Sequence, residues 1–163
     1  SFERSYAKIS AAGFGCTTWC NTYHEGKYYV PSCDFWLMIS PGMAREMILP
    51  DILFEMEPLE RSIFHLDGVG ALKHLDLILD IPNLHAVQWV YGAGHGPASR
   101  WIEVYRRCLQ VGKSVQVIAE TAEDALTVLE AVGAKGVWLT VAEGFRSVSE
   151  AEAFLKEVER LQI

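Results

Sequence analysis

Hydrophobic positions along the chain alternate between two periods. Short apolar runs rich in β-branched and aromatic residues recur at 63–66, 86–90, 114–119 and 136–141, with the length and residue types of strands. Each is followed by a stretch whose apolar residues recur every three or four positions, as on one face of a helix. After the first run, 71–79 places Leu72, Leu75, Leu77, Ile78 and Leu79 on the apolar face and turns His74 and Asp76 to solvent. After the second, a helix beginning past Ser99 carries Trp101, Ile102, Val104, Tyr105 and Leu109 and stops at Gly112. Thr121-Ala-Glu-Asp then forms a capping box ahead of a helix over 125–132, closed by Gly133. Ser147-Val-Ser-Glu opens a terminal amphipathic helix with Phe154, Leu155, Val158 and Leu161 on its buried side.

Upstream the pattern is less regular. Phe2, Tyr6 and Ile9 lie at helical spacing, and 11–26, rich in Gly, Thr and aromatics without a period, reads as a candidate substrate-facing loop. A strand over 28–36 follows, limited by Pro31, with Asp34 near its end. Ser40-Pro41 is a helix start: the hydroxyl can cap free N–H groups, and proline at the first helical position loses a donor that had no partner. That helix runs toward Leu49 and, through a kink or a second short helix, to Met56 before Pro58.

Strand and helix thus alternate, the pattern of a parallel sheet built from βα repeats. A (β/α)8 barrel usually takes roughly 200 residues or more, so this chain of 163 is expected to be a single α/β domain over 1–163 that supplies part of one. The expected architecture is a partial TIM barrel of about five strands. A self-contained doubly wound sheet is the alternative.

Half the residues are hydrophobic and 21% are charged, as in a globular protein with a sizeable core. The net charge of −7 with no clustered Lys/Arg argues against nucleic acid and anionic membranes as partners. No apolar run reaches the ~18 residues of a membrane span and no signal pattern opens the chain, so a cytoplasmic location is expected. Cys16, Cys20, Cys33 and Cys108 are too sparse for a disulfide scaffold, and Cys16-x-x-x-Cys20 lacks zinc-ribbon spacing; reduced thiols are expected.

The candidate chemistry gathers at Phe64-His65-Leu66-Asp67-Gly68. On a strand His65 and Asp67 share a face, so an imidazole and a carboxylate can converge on one ligand, either as metal ligands or as an acid/base pair. A hydrogen-bonded core histidine and a turn aspartate are the structural alternative. Asp34, Trp36, Gln88, His95 and Gln116 complete the polar and aromatic set, with Asp34 as a partner in catalysis and the others as substrate contacts. Gln88 and Gln116 could equally be buried residues that bond within the sheet. The loop Gly92-Ala-Gly-His-Gly has the first two glycines of a dinucleotide fingerprint but misplaces the third, so it is not read as a cofactor motif.

Cys33-Asp34-Phe-Trp with Ile39-Ser40-Pro41 and Leu49-Pro50, then Phe64-His-Leu-Asp-Gly, Leu84-His-Ala-Val-Gln-Trp-Val-Tyr-Gly and the closing βα units resemble the C-terminal part of the uroporphyrinogen decarboxylase superfamily. This superfamily includes zinc-dependent methyltransferases acting on corrinoid-borne or coenzyme M methyl groups. The resemblance runs from about Gly13 to the end and implies a (β/α)8 barrel lacking its N-terminal strands here. In the methyltransferase branch a His-x-Cys pair at this strand end and a later cysteine hold zinc, which activates a substrate thiol. Here the pair is His65-x-Asp67 and no cysteine follows Cys108, which implies a harder, oxygen-richer site for zinc or another divalent ion. A corrinoid partner is implied with it. In the decarboxylase branch a Phe-Asp-Ser-Trp strand end corresponds to Cys33-Asp34-Phe35-Trp36, and Gly-Asn-Leu-Asp-Pro is replaced by Val90-Tyr-Gly-Ala-Gly. The expectation is a metal-assisted, methyltransferase-like enzyme domain acting on a small molecule. The alternatives are a tetrapyrrole decarboxylase, or a non-catalytic barrel segment. Open strand edges imply a homo-oligomer or a missing N-terminal half.

Overall fold

The computed structural model describes residues 2–161. Five of its strands belong to the main sheet, in which the registered pairs run parallel, and two further short strands form a separate antiparallel hairpin. The chain divides into two compact units, Ser1–Leu66 with Gly70–His85, and Asp67–Val69 with Ala86–Ile163.

The first unit opens with α1 (Phe2–Ala11). The Gly- and aromatic-rich segment after it is not wholly a loop. Cys16–Thr17 (β1) and Tyr23–His24 (β2) pair antiparallel, too short for periodicity to reveal. β3 (Tyr28–Tyr29) pairs with β4 (Arg61–Asp67), Tyr28 against Arg61, with an isolated bridge between Ser32 and His65. The strand expected over 28–36 therefore breaks up early. Pro31 accepts the His65 N–H (2.9 Å) but has no N–H of its own to give, and Asp34–Met38 winds into a 3₁₀ turn.

The helical stretch after Ser40 is capped as expected, the Ser40 hydroxyl accepting the Met43 N–H. It runs as α2 (Pro41–Met43), a π-helical segment (Ala44–Ile48) and α3 (Leu49–Met56). Pro50 does not end the helix. It lacks the N–H that an α-helical bond to Glu46 needs, and the widened turn just before it absorbs that loss.

A further sequence expectation fails in this unit. His74 was expected at the solvent face, yet it is fully buried and its Nε2 donates to the Trp36 carbonyl at 2.7 Å. The cause is the 3₁₀ turn Val69–His74 that precedes α4 (Leu75–Leu79). With three residues per turn, Ala71 and His74 eclipse each other and both face inward. Around them Trp36, Phe64, Leu66, Leu75, Ile78, Ile52 and Met56 form the core. Trp36 meets Phe64 and His74 edge to face.

In the second unit β5 (Ala86–Val90), β6 (Ser114–Ala119) and β7 (Val137–Val141) run parallel. Val87, Trp89, Val115, Val117 and Ala119 are buried. So are Val104, Tyr105 and Cys108 of α5 (Ile102–Gln110) and Ala125, Val128 and Leu129 of α6 (Ala122–Val132), the two helices that pack on β6. Of the expected capping box the N-cap half forms, Thr121 Oγ1 accepting the Asp124 N–H, while the Asp124 carboxylate is engaged elsewhere. Asp124 in turn accepts the N–H groups of Ala98 and Ser99 at the start of the 3₁₀ turn before α5, at 2.6 and 3.0 Å. Burying those amides without acceptors would cost about 1–3 kcal/mol each.

The terminal helix, α7 (Val148–Arg160), forms where expected but contains no buried residue, and Leu155 is 56% exposed. Its intended partner, β7, is likewise only half-buried along its whole length. β7 pairs with β6 alone among the described strands, so the last βα layer has cover on one side only. No helix among the described residues is long and apolar enough to cross a membrane.

Candidate metal centre

Strand β4 sorts its side chains by the two-residue period: Ser62, Phe64 and Leu66 are buried, while Ile63 and His65 are half-buried and Asp67 is exposed. Ser62 anchors the strand, its hydroxyl donating to the Asn83 carbonyl at 2.9 Å and its N–H to His85 Nδ1 at 3.3 Å. His65 and Asp67 consequently leave the strand on its less buried face, as the spacing predicts. Asp34, expected at a strand end, instead begins the 3₁₀ turn, which turns its carboxylate to the same place. One ligand atom from each of Asp34, His65 and Asp67 lies within 4.8 Å of the other two.

This donor set fits a divalent cation. Bonds of about 2.0–2.2 Å to oxygen and nitrogen hold neighbouring ligand atoms roughly 3–4 Å apart. The two carboxylates are exposed, so small side-chain rotations bring the three donors to that spacing. One imidazole and two carboxylates make a hard, anionic set without thiolate, suited to Zn²⁺, Mn²⁺ or Fe²⁺ more than to a soft ion. Three protein donors also leave coordination positions open, the hallmark of a catalytic rather than a structural centre.

A residue outside the expected set joins the cluster. Trp19, in the turn between β1 and β2, meets the His65 imidazole edge to face. Its turn is held by its own hydrogen bonds: Thr18 Oγ1 accepts the Cys20 N–H and Thr17 Oγ1 donates to the Thr22 carbonyl. Cys20 is buried beneath it. The only sequence signal for Trp19 was the aromatic, aperiodic character of 11–26. Cys33, next to Asp34, has its thiol pushed up chiefly by burial, with the Asp34 charge adding to the rise and hydrogen bonds from Trp36 and Phe35 opposing it. It therefore stays a thiol at neutral pH.

The remaining expected residues stand elsewhere. Trp36, expected to contact substrate, has its ring enclosed in the core at 1% exposure. Gln88 and Gln116 face each other directly across β5 and β6, both buried. Gln116 Nε2 donates to Thr140 Oγ1 at 3.2 Å on the next strand, while its Oε1 has no partner. His95 lies exposed in the glycine-rich loop, where its carbonyl accepts the Trp101 indole N–H. No family model, curated protein or solved structure matches this chain.

Proposed function

We propose that the chain is a uroporphyrinogen decarboxylase-superfamily domain, part of a (β/α)8 barrel, that performs metal-assisted, methyltransferase-like chemistry on a small molecule in the cytoplasm. The observation that carries this reading is the convergence of Asp34, His65 and Asp67 within 4.8 Å. They stand beside the C-terminal end of a parallel strand, where barrel enzymes assemble their chemistry. The superfamily motifs around Cys33–Trp36 and Phe64–Gly68 support it.

His65, Asp34 and Asp67 would hold the ion. A divalent cation there supplies Lewis acidity, lowering the pKa of a thiol or water that binds beside it. The carboxylates bring the negative charge that attracts the ion, and the half-buried imidazole limits its hydration. A corrinoid would then be the methyl source. The tetrapyrrole-decarboxylase alternative has less support, because Phe35, 52% exposed, stands where that branch places a serine hydroxyl.

Purification without chelators, followed by inductively coupled plasma mass spectrometry of wild type and of His65→Ala, tests the proposal. One metal equivalent in wild type and its loss in the variant is the expected result. Wild type without stoichiometric metal, even after incubation with Zn²⁺, Mn²⁺ or Fe²⁺, overturns it.

A second reading rests on the half-buried β7 and the unburied α7. A non-catalytic barrel segment completed by a second copy or another chain would leave that layer bare when alone. Light scattering coupled to size-exclusion chromatography distinguishes it, since a stable monomer that binds metal contradicts this second reading.

A further inference from the structure

A groove of about 810 Å³ opens on the first unit, away from the motifs above in sequence. Its apolar floor comes from Phe2, Tyr29, Phe54, Pro58 and Leu59, and its rim carries Glu3, Glu55 and Glu57. Phe54 is 76% exposed at the end of α3, an aromatic ring held in water. A large exposed aromatic beside a preformed apolar cleft marks an interaction surface rather than a random surface residue.

The rim chooses the occupant. Glu3 is paired with Lys27 at 2.8 Å. Glu55 and Glu57 are exposed carboxylates with no ion pair among the described residues. Both line the groove, so both charges meet whatever enters it. The chain as a whole carries −7, which steers cations toward it. A second copy would bring the same carboxylates against these, and like charges oppose such a pairing.

We propose that this groove docks a basic amphipathic segment of a partner protein, its apolar side chains seated against Phe54, Tyr29 and Leu59 and its Lys or Arg residues on Glu55 and Glu57. Anchors of aromatic or aliphatic type flanked by cations are the recognition pattern of a helix laid in a groove. Affinity would come from the apolar floor, while register and on-rate would come from the acidic rim.

Fluorescence anisotropy with a labelled synthetic Leu/Lys amphipathic peptide tests this, with a Leu/Glu peptide of the same pattern as control. The expected result is micromolar binding of the Leu/Lys peptide that weakens with added salt. Phe54→Ala and the double variant Glu55→Gln/Glu57→Gln should each weaken it at least fivefold. All three positions are exposed, so the fold survives these changes, which circular dichroism verifies. Absence of binding, binding that neither variant alters, or equal binding of the Leu/Glu peptide overturns the proposal. So does a wild-type dimer that Phe54→Ala dissolves, since a second copy would then fill the groove.

Discussion

The Trp19 indole meets the His65 imidazole edge to face, with ring centroids 4.8 Å apart and planes 86° apart. Trp19 is 57% exposed, yet its turn is hydrogen-bonded and anchored by buried Cys20, so the indole stands at a defined place against the histidine. The contact limits which way the imidazole can turn. Trp19→Ala should therefore weaken Co²⁺ binding by about tenfold, the usual effect of removing a group that orients a ligating histidine, while Trp19→Phe keeps most of it. Side-chain NMR gives a readout independent of metal. The His65 ring protons should lose their ring-current shift in Trp19→Ala and keep it in Trp19→Phe. Unchanged shifts in Trp19→Ala would show that the indole does not orient His65.

Asp67 occupies the position at which the methyltransferase pattern places a cysteine. Asp67→Cys should convert the hard donor set into a softer one and raise Zn²⁺ affinity by about tenfold or more. With Co²⁺ the variant should display an intense sulfur-to-cobalt charge-transfer band that wild type lacks. If the band fails to appear although Co²⁺ binds, residue 67 does not face the ion.

Buried His74 and the Trp36 carbonyl make a single polar contact inside an apolar core. His74→Ala would leave a cavity and remove one of the two hydrogen bonds to the Trp36 carbonyl, which still accepts the Ile39 N–H at 3.3 Å, and should cost about 3 kcal/mol. His74→Phe restores volume without the donor and should cost about 1–2 kcal/mol. Urea unfolding of the two variants separates packing from hydrogen bonding. Equal losses would mean that the cavity adds nothing to the lost bond, and a neutral His74→Phe would mean that the bond contributes nothing beyond shape.

The βα alternation, the Thr121 cap, the Ser40-Pro41 start and the shared face of His65 and Asp67 were all legible in the sequence. Each depends on neighbours along the chain, through strand or helix periodicity or through a cap reaching three residues ahead. What was not legible depends on turns that change the period or on partners distant in sequence. His74 reads as solvent-facing at 3.6 residues per turn and as core at 3.0, and nothing local distinguishes these periods. Trp19 reaches His65 from far along the chain, through a hairpin of two-residue strands. Asp34 reads as a strand residue when Pro31 only limits the strand; in the structure the regular pairing stops at Tyr29, only the Ser32–His65 bridge follows, and Asp34 opens a 3₁₀ turn.

Gly15 packs where no other residue fits. A Cβ there would stand 2.8 Å from Glu25 Cα and closer still to the His24 carbonyl oxygen, both backbone atoms that cannot swing aside. Gly15→Ala should push β1 away from β2 and cost about 1–3 kcal/mol, as overpacking does. Because Trp19 hangs from that hairpin, the same variant should raise the mobility of the indole. Tryptophan fluorescence anisotropy, corrected with Trp19→Phe, measures it. A variant as stable as wild type would show that the hairpin tolerates a shift in β1.

Two buried acids predict how the fold responds to alkali. The Cys108 thiol is fully buried and is pushed up from 9.0 to about 12, mainly by burial, against a smaller lowering by Arg107. Burial likewise raises Tyr105, with Tyr91, Asp124 and Cys108 adding to it. In the unfolded chain these groups release their protons near their usual values, while the folded protein still holds them. Their contribution to stability is thus complete below about pH 9 and is lost as pH climbs toward the folded values, at up to about 1.4 kcal/mol per pH unit for each group. Urea unfolding between pH 7 and 11 should show stability falling above pH 9, less steeply in Cys108→Ala and in Tyr105→Phe. The second variant carries a further expectation, because the Tyr105 hydroxyl is buried without a hydrogen-bond partner. Deleting it should cost little or nothing at pH 7, since no bond is lost and an unpaired polar group leaves the core. A large loss at neutral pH would mean that the hydroxyl is satisfied by bound water, and an unchanged alkaline slope in both variants would place the titrating groups elsewhere.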